Sequence, residues 1–367
     1  MHEFDTGFTV RTPAWHGLGN LLAEAPKSWD EARLAAGLLW EPAEDIIYRR
    51  VTLAAGAELP EGAIVTGTRV DGTVLAMAPL TEHKLIQRDD TGAELSVQRT
   101  AYPIIHHATM GDLLDVLVAE AGTSLSFDSV GSLQGGRKVY AVARLDEPFQ
   151  IPGDSSRTYP YFALQNAHDG EGACRIIPTQ VRIVCMNTWQ LASEAATYEV
   201  VIRHAGNVEE RVEAAKLTLA NARRAAVDYR ATMTELAGLN YDDGVLRTFL
   251  ERFIPTPEGA TERLVAERAE RRQLCRAMLA ESPTLAELPP TAYQLVQLVG
   301  EYTDHLRRLP SDTAKRQEIY LRRTMLGDGD GPRIKGAVID LARELCTAQG
   351  KDRVFAMAAA TGLRTDV

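Results

Sequence analysis

Apolar residues recur along the chain in two rhythms. As far as residue 205 they mostly alternate with polar ones, and beyond Asn207 they return every third or fourth position. Alternation marks a half-buried strand, and the longer period marks a helix packed along one side. The segments IYRRVTLA, IVTGTRV and TVLAMAPL, between residues 47 and 80, alternate in this way. Asp71-Gly72 between the last two predicts a hairpin. FDSVGSLQGGRKVYAVARL predicts a second hairpin, turning at Gly135-Gly136. On its second arm Val139, Ala141 and Ala143 face one way, while Lys138, Tyr140, Val142 and Arg144 face the other. TYPYFALQNAH and CRIIPTQVRIVCMN predict further strands, joined by a turn at Asp169-Gly170-Glu171-Gly172, and TWQLASEAA predicts a helix.

Two helices interrupt the strands. Ser28 caps the first, Glu31 completes a capping box, and Leu34 and Leu38 are its expected buried side chains, with Gly37 near its end. Thr109 and Asp112 open the second; Leu113, Leu114, Leu117 and Val118 share a face and Gly122 supplies the stop. Past Asn207, itself a cap with Glu210, Val212, Ala215, Leu219, Ala222 and Ala226 fall at helical spacing. Helices are predicted over 261–281, 291–309 and 333–349, with a loop at 327–332. The fold class expected is α+β: an antiparallel sheet with a β-hairpin and packed helices over 1–205, then an all-helical C-terminal region over 206–367.

Composition narrows this picture. With 367 residues, 45% hydrophobic and 25% charged, the chain has the proportions of a folded globular protein and not of a disordered or disulfide-stapled one. Its beginning does not read as a secretory signal, and the alanine-rich stretch Val354–Leu363 is about half the ~20 residues a membrane span needs. A cytoplasmic location without a membrane partner is expected. Cys174, Cys185, Cys275 and Cys346 form no C-x-x-C pair, so buried thiols are expected and no zinc site.

The net charge of −10 argues at first against a nucleic-acid partner. It is unevenly spread, however. Residues 1–128 hold 9 Lys/Arg against 19 Asp/Glu, and residues 129–230 hold 12 against 11. An acidic module more than a Debye length of ~8 Å away is largely screened.

Several constellations carry no chemistry on inspection. His106-His107 suits two ligands of one metal badly, Asp328-Gly329-Asp330-Gly331 lacks the later ligands of a calcium loop, and Gly131, Gly135 and Gly136 read as hairpin glycines. No metal or cofactor is expected. His168-Asp169, with Asn187, is a candidate acid–base set that lacks an evident third group. A basic-aromatic set is more suggestive: Arg137, Lys138, Tyr140 and Arg144 on one hairpin, Arg157, Tyr159 and Tyr161 on the next strand, then Arg175 and Arg182. Cations that track phosphates, interleaved with rings that stack on bases, suit single-stranded nucleic acid.

In order, PAWHGLGN, FDSVGSLQGGRKVYAVARL, QNAHDGEGACRIIPTQVRIVCMNTWQLA and IRHAGNVEERVEAA resemble the phage/plasmid-like protein family, whose shared region is classed as a domain of unknown function. TAYQLVQLVGEYTDHLRR resembles that family's C-terminal helical part. Membership implies a gene carried by phages, plasmids or integrated elements, with no established activity. The order helix, hairpin, strands, long helix also resembles single-strand annealing recombinases, which implies an oligomer that holds single strands in a basic groove. The expectation is a non-enzymatic single-stranded-DNA-binding or annealing protein, a homo-oligomer needing no cofactor, with Arg137, Lys138, Arg144, Arg157, Arg175 and Arg182 on phosphates and Tyr140, Tyr159 and Tyr161 stacking. The alternatives are a factor that docks to a phage or host protein, and a nucleotide- or nucleic-acid-processing enzyme working through His168 and Asp169.

Overall fold

In the computed structural model, residues 4–10, 19–121, 125–182, 187–189, 200–219, 222–306, 331–347, 350–352 and 354 are described. The chain opens with β1 (Phe4–Val10), β2 (Asn20–Leu22) and α1 (Trp29–Ala36). Four strands follow, β3 (Pro42–Leu53), β4 (Ile64–Thr68), β5 (Val74–Arg88) and β6 (Glu94–Arg99), and then α2 (His107–Ala121). Next come β7 (Leu125–Leu133), β8 (Lys138–Leu145), β9 (Thr158–Ala167), β10 (Cys174–Arg182), β11 (Asn187–Trp189) and β12 (Val200–Ile202). The remainder is helical: α3 (Val208–Leu219), α4 (Ala222–Ala237), α5 (Asp243–Phe253), α6 (Glu262–Glu281), α7 (Ala292–Glu301) and α8 (Gly331–Cys346). The fold is α+β.

The larger sheet runs β2-β1-β7-β8-β9-β10-β11, with β12 beside the other end of β10. It is antiparallel except for the β1–β2 pair. The smaller sheet pairs β5 with β3, β4 and β6. Its β4–β5 turn is the one Asp71-Gly72 predicts: Gly72 takes φ +81° and the Asp71 carboxylate accepts from Thr73 N at 3.0 Å.

One face of the large sheet, with Val139, Ala141, Ala143, Phe162, Leu164 and Ile176, packs under α1, α2 and α3. Trp29, Ala32 and Ala36 are the buried residues of α1. Leu34, expected inside, is 66% exposed, because the helix turns its seven-residue repeat of Trp29, Ala32 and Ala36 to the sheet. Ser28 caps the helix by accepting from Glu31 N and Gly37 adopts φ +69°, together a gain of about 1 kcal/mol or more. The Glu31 carboxylate reaches back to Lys27 N at 2.9 Å and not to Ser28 N as a capping box would. The opposite sheet face carries its own cluster of Leu133, Tyr140, Val142, Tyr161, Ala163, Ile177 and Val181.

A separate core joins α4 to α8 through Tyr229, Met233, Phe249, Val296, Val338 and Ala342. Ile151, from the β8–β9 connection, belongs to it, and Tyr293 Oη donates to Asp154 of that connection at 2.7 Å.

Three further expectations change. Thr188 and Trp189 pair with β10 as a strand, where a helix was expected; the rest of that segment, 190–196, lies outside the described residues, as do Gly122 and loop residues 327–330. The predicted helix 291–309 is α7 followed by a π-helical turn over Tyr302–Leu306. Gly131 is not a hairpin glycine but lies inside β7 opposite Gly7. A Cβ there would come within 2.5 Å of Thr6 O, so Gly131→Ala is expected to lower stability by about 1–3 kcal/mol, read as a fall in urea midpoint.

Candidate functional site

The strand register puts most of the expected basic-aromatic set on one sheet face. Lys138, Tyr140 and Arg144 alternate along β8, and their partners across the ladder are Ala167, Gln165 and Tyr161; Gln165 in turn opposes Arg175. The middle of that face is core. Tyr140 is 0% and Tyr161 1% exposed, so neither ring offers a surface on which a base can stack. Tyr161 Oη donates to Asp128 Oδ2 at 2.6 Å, and Tyr140 Oη sits 3.4 Å from Ser129 Oγ. Burial pushes both phenols well above their ordinary pKa, with Asp128 adding to the effect at Tyr161.

Arg144 is buried too. It meets Asp128 at 3.6 Å and Asp146 at 3.2 Å, and its guanidinium lies 5.0 Å from the centre of the half-buried Tyr159 ring. Burial opposes its charge, yet Asp128, Tyr161 and Asp146 more than offset that, and its pKa is raised. Lys138 faces Asp169 at 3.7 Å. Arg137 and Arg157 remain exposed, but they adjoin opposite ends of β9, a separation on the order of 35 Å at 3.3 Å per residue. The side chain of Arg182 lies outside the described residues. The set is thus a pair of basic sheet ends divided by a buried aromatic layer, where a continuous groove was expected.

A second convergence forms at the seam between the two sheets. Ser96 Oγ and Gln98 Nε2 on β6 donate to the carbonyls of His168 and Asp169. There His168 Nε2 lies 3.3 Å from His107 Nε2, and the edge of Trp40 meets His107 at a ring separation of 4.5 Å. Nearby, His204 stacks on Tyr102 and His106 faces Glu41 at 3.7 Å. His107 is the first residue of α2 and His106 immediately precedes it, so that His106 is exposed beside Glu41 and His107 buried. Burial holds His107 down at about 4 and His168 well below its ordinary value, with the neighbouring imidazoles adding to the effect at His168. Both are neutral near pH 7, and one donates its Nε2 proton to the other.

The His168–Asp169 dyad does not assemble. Asp169 accepts from Glu171 N at 2.9 Å to cap its own turn and faces Lys138, while the His168 ring packs against His107 with 1% of the residue exposed. A general base needs to reach substrate. The Asn187 side chain lies outside the described residues. Among the described residues no three His, Cys, Asp or Glu side chains are grouped to hold a metal ion; Cys174, Cys275 and Cys346 are buried free thiols.

The surface that the sequence reading passed over is on the helical region. Of the twenty residues of α6 only Cys275 and Met278 are buried, and the arginines of ERAERRQLCR are spread over its outer faces. Between α5 and α6 a cavity of about 300 Å³ is lined by Arg247, Arg272 and Arg276 together with Glu251. Beside it, a larger one is lined by Arg252, Arg268, Arg271 and Arg333. Arg276 is held by Asp243, Arg252 by Glu344 and Arg271 by Glu267. Arg272 donates to Ile254 O and to Thr256 Oγ1. Arg247, Arg268 and Arg333 have no ion-pair partner among the described residues. The available signal was the run of arginines itself, masked by Glu262, Glu267, Glu270 and Glu281, which bring the whole of α6 to 5 Arg against 4 Glu.

Neither curated proteins nor solved structures yield a match to this chain. A family model does match over residues 94–326, from β6 past α7 and so across most of the large sheet, the smaller arginine-lined cavity and the α5, α6 and π-turn walls of the larger one, but not its α8 wall: the chain belongs to the family described as Domain of unknown function (DUF932).

Proposed function

We propose that the chain is a non-enzymatic protein that binds single-stranded nucleic acid, of the kind a phage or other mobile element uses in recombination. The observation that carries this reading is the pair of adjoining cavities on α5, α6 and α8 lined by seven arginines. Four of those guanidiniums, Arg247, Arg268, Arg272 and Arg333, pair with no carboxylate among the described residues, and a phosphate backbone supplies such a counter-charge at regular intervals. The exposed Arg137 and Arg157 on the sheet are secondary contacts.

A salt series of fluorescence-anisotropy titrations with a ~30-nucleotide single strand tests this, each neutralised phosphate contributing about −0.7 to the log–log slope. The triple variant Arg247→Ala, Arg268→Ala, Arg333→Ala is expected to flatten the slope by about 2, and the pair Arg137→Ala, Arg157→Ala by less. No binding at low salt by the unaltered chain overturns the reading. An effect of the sheet pair larger than that of the helix triple moves the strand back to the sheet.

A docking role for a phage or host protein is the second reading. It is supported by the large apolar side chains that the small sheet leaves exposed, Ile46, Ile64, Val65 and Val97.

A further inference from the structure

The larger of the two arginine-lined cavities has features that a simple phosphate-tracking surface does not need. It is half-open, holds about 450 Å³, and so falls in the range of ~300–1,000 Å³ typical of small-ligand pockets. Its walls come from the end of α5, the middle of α6, the π-helical turn and the first half of α8. Arg252, Arg268, Arg271 and Arg333 ring it, and among the described residues no carboxylate lines it. Its floor is apolar: Phe253, Ile254, Ile334, Val338 and Leu341, with the Tyr302 ring. Phe253 and Tyr302 pack edge to face at 5.9 Å and Phe253 also stacks on Phe249 at 6.3 Å, and the half-buried Phe253 ring is part of the cavity's aromatic lining.

Two polar atoms of its lining side chains are unsatisfied. Arg268 Nε and Thr303 Oγ1 are buried without a hydrogen-bond partner among the described residues, and such atoms cost stability unless a ligand or water completes them. Thr303 lies in the π-helical turn, a distortion found frequently at functional sites.

A bare anion would gain nothing from the apolar floor, and an apolar ligand would leave the guanidiniums without counter-charge. Charge and floor together fit a phosphate ester that carries a flat, weakly polar body. We propose that this cavity is a nucleotide pocket, with the phosphate on Arg268 and Arg333 and the base against Phe253. The proposal rests on the strand-binding reading for one of its two sources, a nucleotide within a single strand; a free nucleoside monophosphate carries the same chemistry.

Calorimetric titration of the full chain with adenosine monophosphate, adenosine and inorganic phosphate separates the possibilities, with the single-strand titration run in parallel. The monophosphate is expected to bind at least tenfold more tightly than either fragment. Arg268→Ala is expected to lower its affinity tenfold or more. Phe253→Leu is expected to weaken the monophosphate severalfold and leave inorganic phosphate unchanged, with thermal melting of both variants confirming that they fold. Monophosphate binding no tighter than inorganic phosphate overturns the pocket, whether or not the oligonucleotide binds. Monophosphate binding without oligonucleotide binding upholds the pocket for a free nucleotide and overturns the strand reading.

Discussion

Taking the protein from pH 7 to pH 4 is expected to remove about 3 kcal/mol of stability through His107 alone, more once His168 is included. The folded protein holds His107 down at about 4, whereas an unfolded histidine titrates near 6.5. Between those values the unfolded chain binds the extra proton, so the stabilisation is complete above pH 6.5 and drains away as the pH falls toward 4. Two charges cannot both form on imidazoles 3.3 Å apart inside the seam. His106 works in the opposite sense: its hydrogen bond to Glu41 raises its pKa, which favours the folded state in acid, but the side chain is half exposed and its contribution is small. Glu41, held below its usual range despite its burial by His106, His107 and Arg33, loses its contribution only at lower pH, below about 4.5. Urea midpoints measured from pH 7 to pH 4 should therefore fall steeply, and the double variant His107→Gln, His168→Gln should flatten most of that fall. Equal slopes for the two proteins would show that the seam is not the acid-sensitive element.

How far this architecture could be read from residues follows from the range over which each signal acts. The α1 caps, the Asp71-Gly72 turn and the alternation of β8 are local, and Ser28, Gly72 and the split of Val139 from Tyr140 all occur as their immediate neighbours dictate. Alternation shows that Tyr140 and Arg144 share a face with Lys138, but it does not say what lies over that face. A basic-aromatic face and a buried face with an Asp128–Arg144–Tyr161 network have the same pattern, and only the structure distinguishes them. The seam was illegible for a related reason. His107 and His168 are 61 residues apart, and what brings them together is a docking of β6 on the end of β9 through Ser96 and Gln98. The helix α5 was missed although Asp242 caps it through Val245 N, because its Phe249 and Leu250 are buried by neighbours from α4 to α8 that no window of residues includes. The arginines of α6 were visible but averaged away by the glutamates beside them, and counting net charge over a segment discards which face each charge occupies.

Lys335→Met is expected to destabilise the helical region by about 3–5 kcal/mol. The Lys335 ammonium lies 2.6 Å from Asp304, with 5% and 2% of the two side chains exposed. Removing the ammonium takes a counter-charge from a carboxylate held out of water, the costliest way to break such a pair. Replacing both, Asp304→Leu with Lys335→Met, removes the desolvation penalty along with the attraction and is expected to recover most of the loss. The contrast between the single and double variants, read from thermal or urea unfolding, is the diagnostic; a mild single variant would mean that water or another group reaches the pair. The position of the pair gives it a second consequence. Asp304 follows Thr303 in the π-helical turn and Lys335 follows Ile334 in α8, so the ion pair ties together two walls of the arginine-lined cavity. If the cavity is preorganised by that tie, the double variant should keep its fold yet bind the nucleotide less tightly, because a salt link that fixes direction has been exchanged for apolar contact that does not.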